Sequence, residues 1–276
     1  MTLAEVLRGA TEYLGSRGVP SPRVDAELLL ARALGLERIE LYTQHDRPLT
    51  GAERAAAREL VQRRGAREPL AYVLGDWGFR RLVLRTDRRA LVPRPETEVV
   101  VDRCLALLEG VAAPRVLDVG TGTGAIALAL KSERPDAEVV ASDSSAAALE
   151  LARENAGRLG LDVTFVGADL VDGVDGPFAL VVSNPPYVTA AELERLEPEV
   201  RDWEPRAALV DEGQTERLVR DAQRVLGGHL VLEVHEGRAQ DVARLLEAAG
   251  YAGVRVTPDL TMRERIVEGR WAPGSA

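Results

Sequence analysis

Cysteine is almost missing from this chain: Cys104 stands alone, which excludes an intramolecular disulfide and any cysteine-based metal site. Histidine is nearly as scarce, and His45, His229 and His235 have no metal-ligand spacing among them. Lysine occurs once, at Lys131. Arginine fills the other basic positions, which reads as a compositional bias of the coding sequence and carries no chemistry. No run of about eighteen apolar residues exists to span a bilayer. The opening MTLAEVLRGATEYL carries acids where a secretory leader would carry a basic and then an apolar stretch. A cytoplasmic protein without membrane partners is the expectation.

What is present is an ordinary globular composition, 46% hydrophobic and 29% charged over 276 residues, long enough for two domains rather than one. Charge is unevenly spread. Residues 1–90 hold 16 arginines against 12 acids, whereas residues 91–276 hold 19 basic residues against 32 acids. An acidic second half repels phosphodiester backbones, and no stripe of interleaved basic and aromatic residues offsets it, so a nucleic-acid substrate is not expected.

The first part has helical periodicity. Thr2 and Glu5 form a capping box ahead of Leu3, Val6, Leu7, Ala10 and Leu14, and Gly15 with Gly18 should close that helix. Ser21 and Pro22 suggest an N-cap and first turn, and Thr50 with Glu53 repeats the capping box. GFRRLVLRT then alternates as a strand, half of a hairpin between domains. Beyond Pro93, strands are expected at RVLDV, EVVAS, VTFV, FALVVS, HLVLEV and GVRVT with helices between most of them, the pattern of a parallel sheet covered on both faces. RERIVEG follows too short a link for a crossover and should run antiparallel. The terminal WAPGSA reads as frayed.

VLDVGTGTGAIALAL places Gly120, Gly122 and Gly124, with Thr121 and Thr123 between them, after a strand and before a helix. A ligand can approach such backbone closely at a donor-rich helix N-terminus. The spacing is not that of a pyrophosphate cradle, and Asp118 puts a carboxylate where a phosphate would be repelled. Asp143 ends the next strand, where it can accept hydrogen bonds from vicinal ribose hydroxyls. Asp169, followed by Leu170, ends the third, within reach of an adenine amino group. Acids around a glycine turn suit a nucleoside with a cationic end, so S-adenosylmethionine is the expected cofactor, ahead of a nicotinamide dinucleotide. These positions resemble those of the class I methyltransferases.

SNPPYV, Ser183 to Val188, closes the strand FALVVS. Pro185 and Pro186 donate no hydrogen bond, and each keeps its predecessor out of the helical region, so the chain stays extended beside the glycine loop. Carbonyl groups of Asn184 and Pro185 become free acceptors suited to a planar NH2 group. Such a nitrogen is a poor nucleophile because its lone pair is delocalised. Accepting both N–H bonds draws it toward tetrahedral geometry, which is catalysis by orientation and electrostatics. Tyr187 can pack on the flat substrate and face the charge that grows on nitrogen. Adenine and glutamine present nearly the same donor pair, so the motif leaves the substrate open.

With both motifs in hand, the whole chain resembles the peptide chain release factor N5-glutamine methyltransferases, through REPLAYVLGDWGF, LVPRPETE and RDWEPRAAL as well as the two site motifs. The resemblance implies an α/β class I S-adenosylmethionine-dependent methyltransferase, a Rossmann-like seven-stranded mixed sheet with a helical recognition domain at 1–72, a β-hairpin linker at 73–93 and a catalytic domain at 94–276. It implies methylation of the glutamine in the Gly-Gly-Gln loop of bacterial release factors, leaving S-adenosylhomocysteine. Asp118, Gly120 to Gly124, Asp143, Asp169, Leu170 and Asn184 would hold the cofactor. Asn184, Pro185, Pro186 and Tyr187 would hold the amide, and Arg94 to Glu98 would lie near the substrate entrance. Leu170 departs from relatives that place an aromatic residue there, and His235 and Glu236 replace a glycine-containing turn. Rival readings are a ribosomal-protein glutamine methyltransferase, an adenine-N6 methyltransferase of nucleic acid, and a scaffold that binds cofactor without catalysis.

Overall fold

The computed structural model describes residues 1–259 and 261–272. Helices α1 (Leu3–Ser16), α2 (Pro22–Leu34), α3 (Glu40–Thr43), α4 (Gly51–Gly65) and α5 (Leu70–Leu74) come first, followed by the hairpin β1 (Asp76–Phe79) and β2 (Leu82–Arg85). Then come α6 (Pro95–Leu107), β3 (Arg115–Val119), α7 (Ala125–Glu133), β4 (Glu138–Asp143), α8 (Ala146–Leu159), β5 (Thr164–Gly167) and β6 (Phe178–Ser183). The chain ends through α9 (Ala190–Leu193), α10 (Pro198–Arg201), α11 (Gln214–Asp221), β7 (Leu226–Glu233), α12 (Ala239–Ala248), β8 (Ala252–Pro258) and β9 (Glu264–Arg270). Two compact units result: Met1–Asp76 with Glu197–Trp203, and Trp77–Leu196 with the residues from Glu204 on.

In the first unit, α1 and α4 begin with the reciprocal Thr2–Glu5 and Thr50–Glu53 capping boxes, which satisfy donors that a helix start leaves open. Leu3, Leu7, Leu14, Leu29, Leu30, Leu41 and Val61 form its core. Gly15 does not close α1. The helix runs through it to Ser16, and the chain turns at Gly18, whose φ is +72°. One interior glycine costs a helix only about 1 kcal/mol, too little to stop it. Ser21 precedes α2 but makes no side-chain cap bond. The segment Glu197–Trp203 joins this unit through charge: buried Arg64 meets Asp25 at 2.7 Å and Glu199 at 2.8 Å, and Arg67 meets Glu199 at 2.5 Å.

The second unit is built on a sheet of strand order β5-β4-β3-β6-β7-β9-β8. β9 is antiparallel to β7 and to β8, between which it inserts, and the remaining pairs are parallel. Side-chain alternation sends Leu117, Val119 and Val181 into the core on one face and Val116, Leu180 and Val182 into the core on the other. From β3 the chain winds outward through β4 and β5, while from β6 it winds the other way. β3 and β6 therefore flank the point where strand order reverses, and a crevice opens at their carboxyl ends.

Two local expectations are corrected. GFRRLVLRT is not one strand: it turns at Arg80, φ +53°, so that Phe79 ends one arm and Leu82 begins the other. The turn is held from outside, since Arg80 N donates to Glu98 Oε1 at 2.9 Å and its guanidinium meets Glu133 at 2.5 Å. At the chain end, Trp271 is anchored, donating its N–H to Gly228 O at 2.7 Å and packing its ring 5.5 Å from that of Tyr251. Pro273 to Ala276, the rest of the segment read as frayed, lie outside the described residues.

Candidate active site

Register brings the two motifs together. Val119 pairs with Ser183 across β3 and β6, and Ser183 Oγ donates to Val119 O at 2.7 Å. The chain therefore leaves both strands at one level, into the glycine loop on one side and into Asn184 on the other. Between them lies a cavity of about 300 Å3 lined in part by Gly120, Thr121, Gly122, Thr123, Asp143, Asp169, Leu170, Asn184, Pro185 and Pro186. Arg94 and Thr97 line the same cavity.

The loop conformation needs its glycines. Gly120, Gly122 and Gly124 have φ of +72°, +58° and +84°, a region that side-chain-bearing residues avoid. At Gly124 a Cβ would also meet Leu128 Cδ1 at 2.9 Å. Ser142 O takes the N–H groups of Gly120 at 2.8 Å and Thr121 at 2.9 Å, clamping the loop to β4. From α8, buried Asn155 donates to Thr123 O at 2.9 Å and accepts from Arg85 N at 2.7 Å, tying the loop to β2.

Of the acids at the strand ends, Asp118 lies beneath the loop. It is 1% exposed and does not line the cavity. Its Oδ2 accepts from Thr121 Oγ1 at 2.6 Å and from Ala127 N at 3.1 Å, supplying to α7 the cap that Gly124, without a side chain, cannot. Burial pushes its carboxyl up to about 7. Asp143 does line the cavity. Its Oδ2 accepts from Gly122 N at 2.9 Å and its Oδ1 from Ser145 N at 2.8 Å, which leaves acceptor capacity, since a carboxylate offers about four sites. Burial raises its pKa, opposed by backbone N–H groups of Ser145, Gly122 and Ser144. Asp169 is exposed and meets Arg217 at 2.7 Å. Such an exposed pair is worth only about 0–1 kcal/mol, so its carboxylate can be shared with a ligand. Leu170 holds φ +56°, and its carbonyl accepts from Ser142 Oγ at 3.1 Å.

On the facing wall, no backbone hydrogen bond among the described residues ends on the carbonyls of Asn184 or Pro185. Asn184 Nδ2 donates to Thr97 Oγ1 at 3.3 Å. Tyr187 does not line this cavity. It borders a second one, of about 450 Å3, with Glu233, His235 and Arg238, and burial raises its phenol above the usual range. His235 is half-buried, with its ring 5.6 Å from the Tyr187 ring. Arg94 is fixed by two contacts to buried Glu204, at 2.6 and 2.8 Å. Thr97, Glu204 and Glu233 had no signal in the sequence beyond lying in the quoted motifs, and Asn155 had none.

The lining fits a cationic nucleoside: acceptors at Asp143 and Asp169, glycine backbone that a ligand can approach closely, and apolar walls at Val119, Ile126, Ala168 and Leu170. Residues 5–75 match the family described as PrmC N-terminal domain, and residues 101–246 match the methyltransferase small domain. A release factor glutamine methyltransferase of Deinococcus radiodurans is 47% identical over 99% of this chain and 100% of its own length. One from Geobacter sulfurreducens is 40% identical over 98% of this chain and 96% of its own. Among solved structures, the hMettl16 catalytic domain in complex with an RNA hairpin superposes with a TM-score of 0.53 at 16% identity, covering 68% of this chain and 74% of that one. The Thermus thermophilus 16S rRNA N2 G1207 methyltransferase, in complex with AdoMet and guanosine, gives 0.52 at 18% identity over 71% of this chain and 49% of that one. At that identity the likeness establishes the fold, a class I methyltransferase sheet.

Proposed function

Because the chain belongs to the release factor glutamine methyltransferase family, we propose that it methylates the side-chain nitrogen of the glutamine in the Gly-Gly-Gln loop of bacterial release factors. The observation that carries this reading is the shared level at which β3 and β6 release the glycine loop and Asn184 into one cavity. S-adenosylmethionine, when bound, supplies the methyl group on an electrophilic sulfonium and leaves as S-adenosylhomocysteine.

The protein's own part is binding and orientation. Gly120 to Gly124 offer backbone at the N-terminus of α7, and Asp143 accepts from ribose hydroxyls. Asp169 and Leu170 border the base, and Asp118 acts from below by holding Thr121 and the start of α7. Asn184 Oδ1 and the Pro185 carbonyl accept the two amide hydrogens of the substrate, restoring lone-pair density to its nitrogen. Acceptors fixed before the reaction cost no reorganisation during it. Pro185 and Pro186 keep the wall rigid, and Tyr187, which borders the neighbouring cavity beside His235, is assigned to the substrate side of that wall. No side chain needs to remove a proton before transfer.

Residues 1–72 are assigned to recognition of the protein substrate, 73–93 to the hairpin linker and 94–276 to cofactor binding and catalysis. A substrate that acts in translation puts the reaction in the cytoplasm, and among the described residues no helix is long and apolar enough to cross a membrane. The acidic balance of residues 91–276 disfavours direct modification of nucleic acid. The test is incubation with labelled S-adenosylmethionine and a panel of release factors, ribosomal protein and DNA, followed by peptide mapping. Label on the Gly-Gly-Gln glutamine supports the reading, and label confined to ribosomal protein or DNA overturns it.

A further inference from the structure

Glu233 ends β7 and is 1% exposed, yet the reaction as described does not use it. A carboxylate with so little solvent should be fully paired, but Oε2 has no hydrogen-bond partner among the described residues. Thr97 is the polar side chain that most opposes the effect of burial on this carboxylate. Thr97, in the first turn of α6, in turn accepts from Asn184 Nδ2 at 3.3 Å. Three residues from three elements thus follow one another up to the amide-binding wall, with Glu233 at the buried end and Asn184 at the cavity.

We infer that Glu233, acting through Thr97, is a positioning residue that fixes which end of the Asn184 carboxamide faces the substrate. This rests on the reading of Asn184 as the amide acceptor. An ionised carboxylate is acceptor-only, so the Thr97 O–H must point at Glu233, and the Thr97 oxygen is left to accept. Only the NH2 end of Asn184 can satisfy it. The carbonyl end is thereby turned to the cavity, where a substrate NH2 group needs an acceptor. Without the relay a carboxamide is nearly symmetric in shape, and the reversed rotamer would set N–H against N–H. A negative charge at the far end also polarises the chain in the sense that strengthens acceptance.

The relay has a built-in pH dependence. Burial pushes the Glu233 carboxyl up to about 7, with Arg265 from β9, Arg94 and Glu96 at the start of α6, and Tyr187 beyond β6 also facing it. His235 and Arg238 line the cavity it borders. Once protonated, Glu233 can donate to Thr97, which frees the Thr97 O–H to turn toward Asn184 and favours the reversed amide. Methyl transfer therefore falls as pH drops through this range.

The test uses the full-length protein with Thr97→Ser, Thr97→Val and Glu233→Gln. Single-turnover transfer to a release factor at saturating S-adenosylmethionine is followed across pH, beside calorimetric cofactor affinity. Thr97→Ser should stay near the parental rate, and Thr97→Val should lose about tenfold or more with unchanged cofactor affinity, since the loss is one of orientation. Glu233→Gln should abolish the acid limb. Independently of any acceptor, the side-chain NH2 resonance of Asn184 in a nitrogen-15 spectrum should move with pH through this range in the parental protein and stand still in Glu233→Gln. An unmoving parental resonance, an acid limb retained in Glu233→Gln, or equal rates in Thr97→Val and Thr97→Ser would overturn the relay. If no release factor is methylated by the parental protein, the substrate reading fails, and the resonance experiment still decides the relay.

Discussion

Replacing Asp143 by alanine tests how cofactor binding depends on the end of β4. In the folded protein this carboxylate already receives the N–H of Gly122 at 2.9 Å and of Ser145 at 2.8 Å, so it both shapes the glycine loop and offers spare acceptor sites to a ribose. Hydrogen bonds to a charged group contribute about 1.5–3 kcal/mol each. Two ribose bonds through one carboxylate are not additive, so a total near 3 kcal/mol is the working figure, a rise in Kd of about a hundredfold or somewhat more. Stability should suffer less. Ser145 is exposed and Gly122 half-buried, so water reaches both amides in the variant. A cost of about 1 kcal/mol corresponds to a Tm lowered by roughly 2–4 °C in a unit of this size. Asp143→Asn keeps one carbonyl but sets its NH2 end against one of the two amides, and should fall between parent and alanine. Isothermal titration with S-adenosylmethionine reads the affinities and calorimetry reads the melting. A Kd within twofold of parental in Asp143→Ala would refute the ribose assignment, and a weakened Kd accompanied by global unfolding at the assay temperature would refute the claim that the loop tolerates its loss.

Asn184→Ala should lower single-turnover transfer by about a hundredfold, as loss of one preorganised hydrogen-bonding group in a reaction site does, while cofactor affinity barely changes; Asn184→Asp, which retains an acceptor, should keep part of the rate, and a near-parental rate in the alanine variant would reduce the motif to a turn. Arg64→Met removes a side chain only 6% exposed, strands buried Asp25 and leaves Glu199 to Arg67 alone, so urea unfolding of the intact protein should register a loss of about 3–5 kcal/mol; less than about 1 kcal/mol would mean that Asp25 is not left as an unpaired buried charge. Asp118 supplies a pH test. Its folded carboxyl sits at about 7, above the unfolded value of about 3.9, so its contribution to stability is full below the unfolded value and is lost as pH rises through the folded one. Between pH values of about 6 and 8 that amounts to about 1.4 kcal/mol, or a few degrees in Tm. Glu233 titrates in the same window, so the reading is the difference between parent and Asp118→Asn: the variant should show the smaller drop, and equal drops would refute the assignment.

The alternating strand and helix pattern, the glycine loop and SNPPYV could all be read from sequence because each is enforced within a few residues. Positive φ at Gly120, Gly122 and Gly124 follows from spacing between a strand and a helix, and two adjacent prolines without donors hold a chain extended wherever they stand. RERIVEG was legible as antiparallel from the shortness of its link, although its insertion between β7 and β8 was not. Where a local rule gave the wrong answer, a partner distant in sequence had intervened. Gly15 stays helical within a packed bundle, and the Arg80 turn, which has no turn chemistry of its own, exists because Glu98 and Glu133 hold it.

Tertiary structure alone decided which polar groups would be buried and with whom. Thr97 and Asn184 are 87 positions apart, and Arg85 and Asn155 are 70 apart; no periodicity or spacing connects them. The same holds for the joining of Glu197–Trp203 to the helical unit, which depends on two arginines finding one glutamate. Sequence by itself determined the backbone of the site, since backbone conformation answers to neighbours along the chain. The direction each side chain faces, and whether a carboxylate such as Asp118 or Glu233 carries its proton near neutrality, depend on desolvation and on hydrogen-bond partners supplied by other elements, and those exist only once the chain has packed.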